Sequence, residues 1–452
     1  MWTRSWSSPT RRASGSGAAR LHFPQKSGKC RRDPAFSNLR VLIVHAGGDS
    51  RRLPAYGPCG KIFVPIPGDS DQAVPLTIFD RLLPTYLALP PNAAGKGQVV
   101  VASGDVLLFF DPSKVRFDRD GIIGLGAYAA PETAKNHGVF CAGPDGRVRT
   151  YLQKPSVDEQ AGQGAIDHAG QSVLDIGVFS LDGPAAARLL ALCGPVRTKA
   201  GRWTWSGDLV TAIEEFGLDF YREITTAMGT KTRWDDYARS VRRAGSRLPD
   251  RYLRKIHGAM AGTPFFVSIL PRCDFLHFGT SHQLIAGGNA LEGAGHDPAR
   301  HRSALDINNA ITGEGKLVGT DSWVEGCRIQ AALTLGGENV VAGADVDEPI
   351  SLPPKTVLDI VKGKNRRGKA VWFVRCYGID DGLGQAEAED ATAAGAPGAE
   401  GSSLDHAQSA GREMAGDNGR AGGGRLGRAR QIPGPDDLER PVLSRLRSSS
   451  RL

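Results

Sequence analysis

Between residues 38 and 253 short apolar runs alternate with stretches of helical spacing, and this alternation restricts the possible folds more than any other feature. "LRVLIVHAGG" reads as a buried strand ending in a glycine turn, and "PLTIFDRLLPTYLAL" as a helix. "GQVVVASGD" and "DGIIGLGAYAA" read as further strands, and "SVLDIGVFSL" with "GPAAARLLALCG" as a strand and its following helix. Strands alternating with helices predict an α/β domain with a mostly parallel sheet covered on both faces. In such sheets ligands bind beyond the carboxyl ends of the strands. The glycines after Val44 and the aspartate Asp105 fall there.

After residue 253 the texture changes. "GKLVGTDSWVEGCRI" and "ALTLGGENVVAGADV" are Gly-punctuated apolar dyads at roughly six-residue spacing, with Gly319 and Gly326 between Leu317-Val318, Trp323-Val324 and Ile329. This is the loose signature of hexapeptide-repeat β-helix coils, with an irregular β-sandwich as the alternative. Residues 1–37 are basic and Ser-rich, a composition shared by transit peptides and by plain disordered tails. Residues 382–452 are dominated by Gly, Ala and polar residues. Such a segment buries too little surface to offset its ordering entropy and is expected to be disordered.

Charge and cysteine content narrow the function classes. Lys and Arg total 56 against 48 acids, a net charge of +8, but much of the excess lies in the two tails. It therefore predicts no nucleic-acid partner. The seven cysteines are odd in number and none forms a C-x-x-C pair, which suggests neither a zinc site nor a disulfide framework and favours a reducing cytoplasm. No apolar run approaches the ~20 residues that cross a bilayer, so no membrane partner is expected.

The chemistry concentrates in "VLIVHAGGDSRRLPAYGPCGK". Gly47 and Gly48 follow a strand, where missing side chains let backbone N–H groups approach a ligand and form an anion-binding nest. Arg51 and Arg52 offer donors matched to phosphate oxygens, and Lys61 adds a mobile point charge. Together they suit a nucleotide triphosphate, the alternative being a structural turn. Neither a Walker A loop nor the G-x-G-x-x-G dinucleotide fingerprint is present.

"GGDSRRLPAYGPCGKIFVPIP" resembles the signature of sugar-nucleotide pyrophosphorylases, G-G-x-G-T-R-L followed by P-K. More narrowly, "HAGG", "RLPAYGPCGK", "NHGVF", "LQKPSVDE", "PRCDFLHFGTSHQL" and "VRCYGIDD" resemble the fucose-1-phosphate guanylyltransferase family, a unit also found in bifunctional fucokinase/GDP-fucose pyrophosphorylases. The resemblance runs from about Arg40 to Asp381. It implies a Rossmann-like nucleotidyltransferase domain over 38–253 and a β-helix-like, hexapeptide-type domain over 254–381, flanked by disordered tails.

Carried over residue by residue, the resemblance makes Gly47 and Gly48 phosphate-cradling glycines, Arg52 the signature arginine and Lys61 a nucleotide-phosphate contact. Asp105 resembles the aspartate that binds magnesium, and Gly138 the glycine whose backbone approaches the sugar. Lys154, in Gln153-Lys154-Pro155, corresponds to the lysine that meets the sugar phosphate, and Asp175 belongs to a segment lining the sugar pocket. Asp208 is a candidate second magnesium ligand, although aspartates before helices are very often caps. Asp105 also reads as a turn residue, Lys154 as a solvated loop charge, and His45 as a satisfied buried histidine or a ligand contact. The chain departs from the broader pattern at Ser50, Arg51 and Gln153, which replace Gly, Thr and Glu.

The resemblance implies guanylyl transfer from GTP to fucose 1-phosphate with release of pyrophosphate. A pyrophosphorylase for another sugar 1-phosphate and nucleotide, or a non-catalytic nucleotide-sugar-binding protein, are the alternatives.

Overall fold

The computed structural model describes residues 39–45, 52–68, 76–92, 97–199, 203–293, 304–364 and 368–382, and the backbone of 430–433. The expected tail 1–37, the paired glycines Gly47 and Gly48, and most of 382–452 lie outside the described residues. The described chain falls into two compact units, and the division is not a single cut at residue 253. A sheet unit joins Arg81–Phe275 to the strand at residues 40–45. A coil unit joins the described part of Asp49–Asp80 to the chain from Leu276 onward. No helix among the described residues is long and apolar enough to cross a membrane.

The strands of the sheet unit are β1 (Arg40–His45), β2 (Gln98–Ser103), β3 (Val106–Phe109), β4 (Ile122–Ala129), β5 (Gly138–Ala142), β6 (Val148–Gln153), β7 (Ser172–Asp182), β8 (Pro195–Arg197), β9 (Trp203–Trp205) and β10 (Phe265–Leu270). Its central sheet runs β1-β2-β7-β4-β10, with the β5–β6 hairpin attached to β7 through Val139 and Leu174. The α/β class stands, but the expectation of a mostly parallel sheet is corrected. β1/β2 and β4/β10 are parallel, whereas β7 runs antiparallel to both β2 and β4. β7 is buried along nearly its whole length. A strand buried on both faces has the same apolar pattern in either direction.

Helices α1 (Ile78–Leu87), α2 (Pro131–Ala134), α3 (Val157–Gly162), α4 (Gly183–Leu192), α5 (Asp208–Phe216), α6 (Trp234–Arg243) and α7 (Asp250–Met260) follow the expected alternation. The turn from β7 into α4 shows how the sequence sets a boundary. Asp182 ends the strand, accepts the Ala185 N–H at 2.8 Å as a helix cap, and accepts the Gly121 N–H at 2.7 Å with its other oxygen. Behind the sheet, Leu209, Tyr237, Leu253 and Met260 are buried together with Phe140, Phe179 and Phe265. The rings of Phe140 and Tyr151 meet edge to face at 5.3 Å.

The coil unit contains three parallel ladders. Leu305 pairs with Trp323, Trp323 with Val340 and Val340 with Val357, so the chain returns to one face about every 17 or 18 residues. Ala310–Ile311, Arg328–Ile329 and Asp345–Val346 form the second ladder, and Lys316–Val318, Ala332–Leu335 and Ile350–Leu352 the third. Most of the dyads read from the sequence point inward, with Trp323, Val324, Ile329, Leu333 and Val340 fully buried, but in the Leu317-Val318 dyad Leu317 is half-buried and Val318 is exposed. Asn339 closes a corner, donating to the carbonyls of Pro353 and Thr356 at 2.7 and 3.0 Å. The last long strand, Thr356–Lys364, turns back antiparallel onto Ala370–Gly378, which in turn pairs with Arg430–Pro433. Those last four residues lie inside 382–452 and do not fit the expectation of a disordered tail.

Candidate active site

The carboxyl ends of β1 and β2 meet at His45 and Ser103, which are register partners. The Ser103 hydroxyl donates to Asp105 Oδ1 at 3.0 Å. His45 lies edge-on to Tyr221 and Phe220, with ring centroids 5.7 and 6.3 Å away. Burial lowers the imidazole pKa, and the charges of Asp219 and Asp105 oppose the shift without reversing it. His45 Nδ1 is buried without a hydrogen-bond partner among the described residues. The strand end therefore combines a neutral imidazole with two nearby carboxylates.

Asp175 sits on β7, the next strand across, and is buried. Its Oδ2 accepts the Tyr151 hydroxyl at 2.6 Å and its Oδ1 accepts the Gly177 N–H at 2.7 Å. Gly177 has φ +78°, and a Cβ there would stand 2.9 Å from that of Ser103. Its carbonyl accepts the Tyr221 hydroxyl at 3.1 Å. A Cβ on Gly138 would stand 1.8 Å from the Tyr151 hydroxyl. Gly138, Asp175 and Asp105 thus belong to one neighbourhood, linked through Tyr151, Gly177 and Ser103.

Burial raises the Asp175 carboxyl from 3.8 to about 7, although both hydrogen bonds act to lower it. The folded state then holds this proton more tightly than the unfolded chain, so stability falls as pH rises from about 4 to about 7. At about 1.4 kcal/mol per pH unit, ionised Asp175 costs a few kcal/mol at pH 8. Asp175→Asn is accordingly expected to melt above wild type at pH 8, with the difference vanishing towards pH 4. Its amide can accept from Gly177 and donate to Tyr151. A lower melting temperature for the variant at pH 8 would contradict this account.

Lys154 follows β6 and is exposed, in the left-handed region with φ 49°. Its N–H donates to the His137 carbonyl at 2.9 Å, and Gln153 pairs directly with Gly138. The hairpin therefore brings the "NHGVF" and "LQKP" stretches together. Left-handed backbone at a lysine carries strain of the kind found at ligand clamps. Gln153 Oε1, where the broader pattern has a carboxylate, is buried without a partner among the described residues.

Asp208 is placed differently. It opens α5 at the surface and is held by Lys255 Nζ at 2.6 and 2.9 Å, an ion pair that lowers its pKa. The hydrogen bonds that tie Asp105 to Ser103 and Asp175 to Tyr151 and Gly177 do not involve it. Sequence reading missed Asp219, whose Oδ1 accepts the Tyr221 N–H at 2.9 Å and whose charge acts on His45 beside that of Asp105. Its place before "FYREI" gives only the signal of a cap. Among the described residues no three ligating side chains converge into a metal cage. Half-buried Asp105 fits magnesium in the way that ion is usually held, by one or two carboxylates and the substrate's phosphates.

Arg52 and Lys61 belong to the coil unit. The Arg52 side chain is exposed, and its carbonyl accepts the Ser281 N–H at 3.2 Å. Lys61 opens a 3-10 turn, Lys61–Phe63, after Gly60 with φ 86°. Leu53 and Ile62 bury the chain on either side.

Residues 33–401 match the family model described as fucose pyrophosphorylase domain. The chain is similar to L-fucokinase/L-fucose-1-P guanylyltransferase of Bacteroides fragilis, 25% identical over 355 residues covering 75% of this chain and 33% of the relative. It is similar to the bifunctional fucokinase/GDP-fucose pyrophosphorylase of Arabidopsis thaliana, 33% identical over 38% of this chain and 18% of the relative. Fucose-1-phosphate guanylyltransferase of Mus musculus is 23% identical over 77% of this chain and 63% of its own. The chain thus spans about a third or less of the two bifunctional relatives and under two thirds of the mouse protein. Because the family model covers most of its length, this chain belongs to the fucose pyrophosphorylase domain family.

Proposed function

We propose that the protein transfers a guanylyl group from GTP to fucose 1-phosphate, giving GDP-fucose and pyrophosphate. The observation that carries this reading is the match of residues 33–401 to the family, joined to a strand-end neighbourhood that contains Asp105, Gly138 and Asp175. We read the sheet unit as Rossmann-like, on its parallel β1/β2 pair and the polar groups at their carboxyl ends. The coil unit reads as β-helix-like, on its three parallel ladders. The scattered cysteines of the sequence favour a cytoplasmic setting.

In the proposed reaction the sugar phosphate attacks the α-phosphorus of GTP in line, and pyrophosphate leaves. That nucleophile is already ionised at neutral pH, so no general base is required. The barrier lies in bringing two anions together. Arg52 and Lys61 offset charge on the triphosphate. Bound magnesium, with Asp105 as its protein ligand, would supply further charge neutralisation. Lys154 aligns the attacking phosphate, and Asp175 and Gly138 line the sugar pocket. Neutral His45 adds no charge at this strand end.

The test is a matrix of four nucleoside triphosphates against several sugar 1-phosphates, read by pyrophosphate release. GTP with fucose 1-phosphate should give the highest kcat/KM. Preference for UTP or dTTP with a glucose phosphate overturns the assignment.

Lys154→Ala should first raise KM for the sugar phosphate, with KM for GTP changed much less. Its kcat should also fall, because a loosely held nucleophile is poorly aligned. Selective weakening of nucleotide binding would overturn the sugar-phosphate role, and unchanged KM values and kcat would leave Lys154 a solvated loop charge.

A further inference from the structure

We propose that the repeating coils act as a positioning element for the signature loop, fixing where Arg52 and Lys61 present their charges. This rests on the phosphate-binding reading of those two residues. Two residues of the loop, Pro54 and Tyr56, are held by polar side chains of the coil strands. Arg375 donates to the Pro54 carbonyl at 2.9 Å, and its Nε is fixed by Asp359 at 2.6 Å. Tyr377 donates to the other Asp359 oxygen at 2.8 Å. Trp323 Nε1 donates to the Tyr56 hydroxyl at 2.8 Å, and that hydroxyl donates to Glu325 at 3.1 Å.

Asp359, Arg375, Tyr56 and Trp323 are all buried. Burying an ion pair carries a desolvation penalty that apolar residues of the same volume would avoid, so stability alone is a weak reason for this arrangement. Polar pairing adds direction, which apolar contacts lack. Leu53 and Ile62 anchor the loop to the core without fixing its register. The bonds to Pro54 and Tyr56 do fix it, midway between Arg52 and Lys61. The Tyr56 carbonyl passes the constraint on by accepting the Gly60 N–H at 3.0 Å, one residue before Lys61. Misplacement of a charge by about 1 Å is enough to cost a hundredfold in rate.

The experiment compares Tyr56→Phe, Glu325→Ala and Glu325→Gln by hydrogen exchange and steady-state kinetics. Tyr56→Phe and Glu325→Ala should each speed amide exchange in residues 53–63 by about tenfold or more, with exchange in the coil ladders unchanged. Both should lower kcat by about tenfold or more, with KM for the sugar phosphate little changed. Glu325→Gln keeps an acceptor for the tyrosine hydroxyl and should recover both properties. Unchanged loop exchange in Tyr56→Phe overturns the proposal. So does faster exchange with wild-type kcat, a general loosening of the ladders, or failure of Gln to improve on Ala. The exchange arm uses no substrate. If the wild-type protein turned over no pair in the matrix, the functional reading would fail by itself, and exchange would still decide whether these bonds hold the loop.

Discussion

Lys61→Ala is expected to lower kcat by roughly 100-fold or more, the scale of losing one charge partner in the transition state. In the proposed reaction negative charge shifts toward the departing pyrophosphate as the bond to the α-phosphorus breaks. A cation held against those oxygens gains attraction as the reaction proceeds, so its loss falls on kcat more than on KM. The turn that carries Lys61 is held by backbone bonds from Phe63 to the Gly60 carbonyl at 3.0 Å and from Val64 to the Lys61 carbonyl at 3.2 Å. Ile62 supplies the buried anchor. Alanine retains all three. A rise in KM for GTP with kcat unchanged would show uniform binding instead, and the transition-state role would be lost.

Much of the fold was legible because periodicity reports burial. The runs at β1, β2, β4 and β7 are strands, and most of the dyads after residue 304 face inward on the ladders, Val318 being an exception. Strand direction was not legible, because an apolar run reads alike forwards and backwards. Nor was the partition of the opening stretch, read as one phosphate loop. His45 belongs to the sheet unit, whereas Arg52 and Lys61 belong to the coil unit, on a loop whose Pro54 and Tyr56 are bound to residues more than 200 positions away. Local sequence carries no signal of such partners. The site divides in the same way. Asp105 was visible from its place after a strand and from the family resemblance, and Asp175 from the resemblance alone. Tyr151 was not, since in "RTYLQKP" it reads as an ordinary inward-facing aromatic. Its hydroxyl gains meaning only when β5, β6 and β7 pair and bring it to Asp175. Arg375 lay inside the quoted "VRCYGIDD", yet its bond to the Pro54 carbonyl spans 321 positions and could be seen only in the fold.

Gly138→Ala is expected to destabilise the protein by roughly 2–6 kcal/mol, combining about 1–3 for overpacking with about 1–3 for a lost hydrogen bond to a buried acceptor. The added Cβ would lie 1.8 Å from the Tyr151 hydroxyl and 2.4 Å from its Cζ. Tyr151 has little room to yield, being 1% exposed with its ring against Phe140 at 5.3 Å. Relief would therefore pull the hydroxyl away from Asp175. That hydrogen bond lowers the Asp175 pKa, so losing it pushes the carboxyl further above about 7. The folded state then holds its proton to higher pH, and the deficit of the variant against wild type should grow as pH rises beyond 7. Tyr151→Phe removes the clashing oxygen. Adding it to Gly138→Ala should restore part of the melting temperature, although the same change costs stability in the wild-type background. If Gly138→Ala melts with wild type, the tyrosine is free to move, and close approach of a sugar remains the only demand for glycine at this position. If Tyr151→Phe restores nothing, the strain lies elsewhere along β5.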